Sequence, residues 1–137
     1  MKIKSIMRPA RTISPEANIK DAAIIMNKYR IGSLIVTDGK KCKGNESRIV
    51  GIITERDILE KVTVTNKIPS KVLVEDIMTK KLVTIGPDAL IDDAVYLLIK
   101  HKIKKLPVIK EGELLGIITS TDMVNNSDEI GQFYLFD

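Results

Sequence analysis

The chain has 137 residues, 44% of them hydrophobic and 29% charged, with a formal net charge of +4. That balance is globular and long enough for a real hydrophobic core, and no apolar run approaches the roughly 20 residues of a membrane span. One cysteine, Cys42, excludes an intrachain disulfide, and a lone thiol beside a lone histidine, His101, is too little for a structural zinc site.

The first residues, Met1-Lys2-Ile3-Lys4-Ser5, lack the apolar core of a signal peptide, so the expected compartment is a reducing cytoplasm with no membrane partner. Residues 1–70 carry 14 Lys+Arg against 7 Asp+Glu, and residues 71–137 carry 8 against 11. A basic half suits phosphate-bearing small ligands as well as nucleic acid.

In chain order, a short segment around Ser5-Ile6-Met7 precedes Arg11-Thr12-Ile13, which reads as a short strand. Ser14-Pro15-Glu16 is a helix-start signature, with Ser at the N-cap and Pro at the first helical position. Ile19, Ala22, Ala23, Ile25, Met26 and Tyr29 then fall at the spacing of an amphipathic helix. Ser33 to Thr37 reads as a buried strand. The polar run 38–48, with Lys40-Lys41-Cys42-Lys43 at its tip, reads as a hairpin loop returning into a strand ending at Ile53. The helix after Thr54 is predicted to bury Ile58, Leu59 and Val62.

After a polar connector the pattern restarts. Asp76-Ile77-Met78-Thr79 echoes Ser5-Ile6-Met7-Arg8, and Val83-Thr84-Ile85-Gly86-Pro87 echoes Arg11-Thr12-Ile13-Ser14-Pro15. The helix recurs through Ile91, Ala94, Val95, Leu97 and Leu98, and Lys105-Leu106-Pro107-Val108-Ile109 repeats the buried strand. Gly51-Ile52-Ile53-Thr54-Glu55-Arg56-Asp57 returns as Gly116-Ile117-Ile118-Thr119-Ser120-Thr121-Asp122. The helix recurs at an offset of 72 (Ile19 to Ile91) and this last motif at 65 (Gly51 to Gly116), which locates seven extra residues in the first hairpin loop. The chain is thus read as an α/β (α+β) tandem of β-α-β-β-α units: repeat 1 over 1–64, a linker over 65–71, repeat 2 over 72–125, and a tail over 126–137. Each unit is too small to be stable alone on usual size arguments, so their apolar sheet faces are expected to share one core.

The twice-written Thr-x-x-Asp carries the chemistry. A hydroxyl and a carboxylate at a strand-to-helix junction offer ligands for phosphate and for ribose hydroxyls. The same spacing is also that of a capping box, in which both side chains satisfy the helix's own N–H groups. The methionines Met7, Met26, Met78 and Met123 fall at apolar positions and read as core. His101 and the neighbouring lysines suit a helix C-terminus, and no acid, base or nucleophile is paired with that histidine.

Taken together, Ile-Met near each start, Thr-Ile-x-Pro before the first long helix and Gly-Ile-Ile-Thr-x-x-Asp before the last resemble a CBS-domain pair, a Bateman module. The resemblance covers residues 1–125. It implies two repeats packed with pseudo-twofold symmetry, with no enzyme activity and no obligatory cofactor. The implied ligands are AMP, ADP, ATP or S-adenosylmethionine, bound in clefts between the repeats. A stand-alone regulatory sensor that forms a homodimer and acts on a partner protein is the implied role.

For the repeat-2 cleft, the stronger candidate, the resemblance assigns Asp122 to ribose, Thr119 and Lys105 to phosphate, and Ile117 to the base. Ile3, Arg8, Ile31 and Gly32 would come from repeat 1. For the repeat-1 cleft the counterparts are Asp57, Thr54 and Ile52, with Val74, Thr79, Ile103 and Lys104 from repeat 2. Here Ser33 stands where the family often has a basic residue, Ile35 replaces a proline, and Arg56 is the substitute cation. The alternative is a nucleic-acid-binding module using the basic half, against which stand the 4% aromatic content and the lack of a stacking-platform signature. An enzyme lacks support, since there is no phosphate-binding glycine loop, metal cluster or triad.

Overall fold

The computed structural model describes residues 1–39 and 48–126. Cys42, the basic loop tip at 40–43 and the aromatic tail of 127–137 lie outside these residues. The chain divides into two compact units: Arg11–Leu82, here the N-unit, and Met1–Ala10 with Val83–Asp137, here the C-unit. The units are therefore offset from the sequence repeats. The opening segment of each repeat folds into the unit formed by the rest of the other repeat.

In the N-unit, β1 (Thr12–Ile13) runs parallel to β2 (Ser33–Asp38), which pairs antiparallel with β3 (Arg48–Thr54). Helix α1 spans Ile19–Tyr29 and starts later than the Ser14-Pro15 signature suggests. Ser14 instead closes a turn, accepting from Glu16 N–H at 3.2 Å, while Asn18 caps α1 by accepting from Asp21 N–H at 2.9 Å. The apolar stripe of α1 buries Ile19, Ala22 and Met26 against Leu34, Val36 and Ile53. Helix α2 (Glu55–Ile58) passes into a π-helical turn over Leu59–Thr63. The wider turn shifts the angular positions of the side chains along it, so Val62 is fully buried while Leu59, predicted as core, is 47% exposed. A segment from Val72 through α3 (Val74–Ile77) completes the N-unit, with Val74 fully buried.

The C-unit repeats the plan with α4 (Ile91–His101), β4 (Lys105–Lys110), β5 (Glu113–Thr119) and α5 (Ser120–Asn126). The counterpart of β1 shrinks to one parallel bridge, Ile85 to Val108. Both hairpins carry a register shift at the same place, Val36/Thr37 and Val108/Ile109. Residues Ile3–Ser5 form a 3-10 turn tied to the helix-start loop by Ile3 N–H donating to Ala89 O at 2.9 Å. Apart from Ile35, the buried hydrophobic side chains fall into two clusters, one within each unit, where size alone suggested one core. Each cluster draws residues from both repeats: Ile3 and Ile6 join the C-unit cluster, and Val72, Val74 and Ile77 join that of the N-unit.

The glycine of each Gly-Ile-Ile-Thr run is explained by these opening segments. Ile52 and Thr79 exchange backbone hydrogen bonds of 3.0 and 2.8 Å, and Ile117 and Arg8 exchange bonds of 2.8 and 2.9 Å. A Cβ on Gly116 would lie 2.6 Å from Arg8 O, and one on Gly51 would lie 2.9 Å from Thr79 O. Only a residue without a side chain allows the two backbones this close.

Candidate functional site: two buried carboxylates

Each strand-to-helix junction ends in a buried acid. Asp57 is 6% exposed and Asp122 is 4% exposed. Both form the reciprocal cap that their spacing predicts. In the N-unit, Asp57 Oδ2 accepts from Thr54 N–H at 3.0 Å and from the Thr54 hydroxyl at 3.1 Å, while Asp57 N–H donates to Thr54 Oγ1 at 3.2 Å. In the C-unit the corresponding distances for Asp122 and Thr119 are 2.9, 2.9 and 3.2 Å. One carboxylate oxygen of each pair thus serves its own helix, and each Thr has its single hydroxyl proton directed at the Asp.

The second oxygen meets a different partner in each unit. Asp122 Oδ1 forms an ion pair with Arg8, 2.7 Å from its Nε, and the Arg8 side chain is 59% exposed. Arg8 reaches it from the opening segment that pairs with Ile117. Thr79 holds that place in the N-unit, and its hydroxyl donates to Asp57 Oδ1 at 3.1 Å. The cation there is Lys61, one helical turn further along, at 3.0 Å from Asp57 Oδ1. Lys61 is not evident as a site residue from the sequence, because its counterpart in the second copy is Asn126 and the repeat offers it no echo. Arg56 pairs with Glu60 at 2.6 Å on the exposed side of α2.

The C-unit brings together Asp122, Thr119, Ile117, Lys105 and Arg8, and keeps Ile3 fully buried in its core. Ile103 and Lys104 belong to this unit too, with Lys104 O accepting from Ser120 N–H at 2.9 Å. The N-unit gathers Asp57, Thr54, Ile52, Arg56, Thr79, the buried Ser33 and the core residue Val74. Ile31 and Gly32 lie in it as well, with Gly32 O accepting from Glu55 N–H at 3.1 Å. Two surface concavities of about 500 and 520 Å³ lie away from the carboxylates, one on α4 beside Tyr96 and Ile99 and one lined by Met26, Ile31 and Ile58. Among the described residues no group of three or more His, Cys, Asp or Glu side chains can hold a metal ion, and no helix is long and apolar enough to cross a membrane.

The CBS-domain family model matches residues 3–64 and 74–129. An uncharacterized protein of Methanocaldococcus jannaschii is 31% identical over 125 residues, covering 91% of this chain and 65% of that protein. Inosine-5'-monophosphate dehydrogenase of Korarchaeum cryptofilum is 36% identical over 119 residues, covering 86% of this chain and 22% of the enzyme. The chain thus spans less than two thirds of the length of either relative. The solved structure of a protein with CBS domains from Burkholderia ambifaria superposes with a TM-score of 0.83 at 30% identity, covering 92% of this chain and 93% of that one. With two family matches spanning most of its length, at the repeats its sequence declares, the chain belongs to the CBS-domain family as a tandem pair.

Proposed function

We propose that the chain is a non-catalytic regulatory module of the cytoplasm that binds an adenine nucleotide, AMP, ADP or ATP, or S-adenosylmethionine, through its Thr-x-x-Asp carboxylates. Asp122 is the favoured ribose ligand. The proposal rests on one observation: a buried carboxylate pairs with an exposed guanidinium, Asp122 Oδ1 lying 2.7 Å from Arg8 Nε. A nucleotide can share that pair, its ribose hydroxyls donating to Asp122 and its phosphate taking the terminal nitrogens of Arg8, which suit phosphate oxygens in geometry and charge. Thr119 and Lys105 add phosphate contacts once the Thr hydroxyl turns from Asp122. Bound ligand favours one conformation of the module over another and so changes its affinity for a regulated protein.

Self-association belongs to the same proposal. Tyr96 and Ile99 on α4 are large side chains more than half exposed, as a homodimer face requires. Light scattering at high concentration is expected to give a dimer, and Tyr96→Glu a monomer; a monomeric parent protein contradicts it.

The deciding experiment is a thermal-shift panel of AMP, ADP, ATP, GTP, S-adenosylmethionine and NAD, repeated on Asp57→Ala and Asp122→Ala. A ligand at about 100 times its Kd adds about 2.7 kcal/mol, a rise of several degrees. Stabilisation by adenine compounds that is lost in Asp122→Ala supports the proposal. No shift with any compound refutes it and leaves Thr-x-x-Asp as a pair of helix caps.

A further inference from the structure

We infer that Lys61 is a built-in occupant of the Asp57 carboxylate, closing the N-unit site to ribose and leaving Asp122 as the one carboxylate that takes nucleotide; the inference rests on the adenine proposal above. A carboxylate offers about four lone-pair sites. On Asp57 all four are filled by the protein itself. Oδ2 holds the Thr54 N–H and hydroxyl, and Oδ1 holds the Thr79 hydroxyl and the Lys61 ammonium. A ribose hydroxyl can bind there only by displacing one of them.

Displacement is opposed because Lys61 is fastened at two points. Its Nζ also donates to Ile77 O at 2.9 Å, joining the turn after α2 to the end of α3 across the buried acid. The π-helical turn over Leu59–Thr63 carries this lysine, whereas its counterpart Asn126 lies in the α-helix α5. In the C-unit the equivalent Asn126 donates to the backbone O of Asp122 at 2.6 Å and leaves the carboxylate alone. Arg8, the cation there, pairs with Asp122 while 59% of its side chain stays exposed, and its planar guanidinium suits phosphate oxygens. A nucleotide offers Arg8 a phosphate in exchange. At Asp57 it would have to break the Lys61 contact with the carboxylate while the bond to Ile77 O holds the ammonium beside it. The lost charge-assisted contact corresponds to affinity about 10- to 100-fold weaker at Asp57 than at Asp122.

Two measurements on the full chain test this. The first uses urea midpoints and no ligand. Lys61→Met and Asp57→Asn are each expected to lower the midpoint, and the double variant to fall no further than the worse single. Fully additive losses overturn the clamp, because they show that the two side chains do not act together. The second uses calorimetric titration with AMP. One site per chain is expected in the parent protein, none in Asp122→Ala and two in Lys61→Asn, the second vanishing in Lys61→Asn/Asp57→Ala. Two sites in the parent, or one site in Lys61→Asn with none in Asp122→Ala, overturns gating by Lys61 while the adenine proposal survives. If AMP, ADP, ATP and S-adenosylmethionine, each titrated in the same way, bind to no variant, the adenine proposal is overturned and the gating of nucleotide falls with it.

Discussion

Gly116→Ala is the sharpest test of how the C-unit is held together. The new Cβ would sit 2.6 Å from Arg8 O, a backbone atom that cannot swing aside as a side chain can. Either β5 or the opening segment must retreat, and the hydrogen bonds between Arg8 and Ile117, at 2.9 and 2.8 Å, stretch together. Overpacking of this kind costs about 1–3 kcal/mol, and a pair of backbone hydrogen bonds adds about 1 kcal/mol each. A total of about 3–5 kcal/mol lowers the melting midpoint by roughly 10–15 °C in a chain of this length. Because Arg8 moves with its backbone, the pair with Asp122 loosens as well, and AMP affinity is expected to fall without any change in the site's own side chains. Gly86→Ala is the control: nothing lies within 4 Å of its Cβ, so it should fall within about 0.5 kcal/mol of the parent. Urea denaturation monitored by circular dichroism gives both values. A Gly116→Ala protein as stable as Gly86→Ala would refute the claim that close backbone approach dictates this glycine.

Three further outcomes are expected. Leu106→Ala, at a fully buried β4 position in the C-unit core, should cost about 3 kcal/mol in the same urea assay through the cavity it leaves. Asn18→Ala removes the acceptor for Asp21 N–H at the start of α1 and should cost about 1 kcal/mol, while Asn18→Asp should retain most of the cap. The carboxyl of exposed Asp88 is held below its ordinary value, first by the hydrogen bond and charge of Lys4 and then by the charges of Lys2 and Lys110. A lowered carboxyl pKa stabilises the fold at pH above the unfolded value and loses that contribution as pH falls through the folded one. Carbon NMR should therefore show the Asp88 titration moving up in Lys4→Ala and in high salt; no movement in either would remove the ion pair from the account.

Much of this was legible because the chain writes its plan twice. The shared spacing of Gly-Ile-Ile-Thr-x-x-Asp announces the strand and the cap, and both recur in each unit, whereas the close backbone approach at the glycine and the burial of the acid emerge only from the fold. What stayed hidden lay where the copies differ. Lys61 has no echo in repeat 2, and nothing in Leu59-Glu60-Lys61-Val62-Thr63 signals a π-helical turn, which tertiary packing of Val62 selects over the exposed Leu59. Ser14-Pro15 misplaced the start of α1 because Asn18 with Asp21 makes a competing cap four residues later. The assignment of each opening segment to the unit built by the other repeat could not be read from periodicity at all, since it concerns partners far apart in sequence.

That assignment has a consequence for folding order and for inheritance. The N-unit is one continuous stretch, Arg11–Leu82, whereas the C-unit must gather Met1–Ala10 from the far side of it. Closing a loop of about 70 residues carries an entropy that ordering the intervening chain first reduces, so the continuous unit is the natural nucleus and the discontinuous one condenses around ends already brought within reach. Cutting the gene between the repeats would strip Ile3 and Ile6 from one core and Val72, Val74 and Ile77 from the other. Neither repeat carries a complete core of its own, so a graft of this module into another protein has to carry both repeats together.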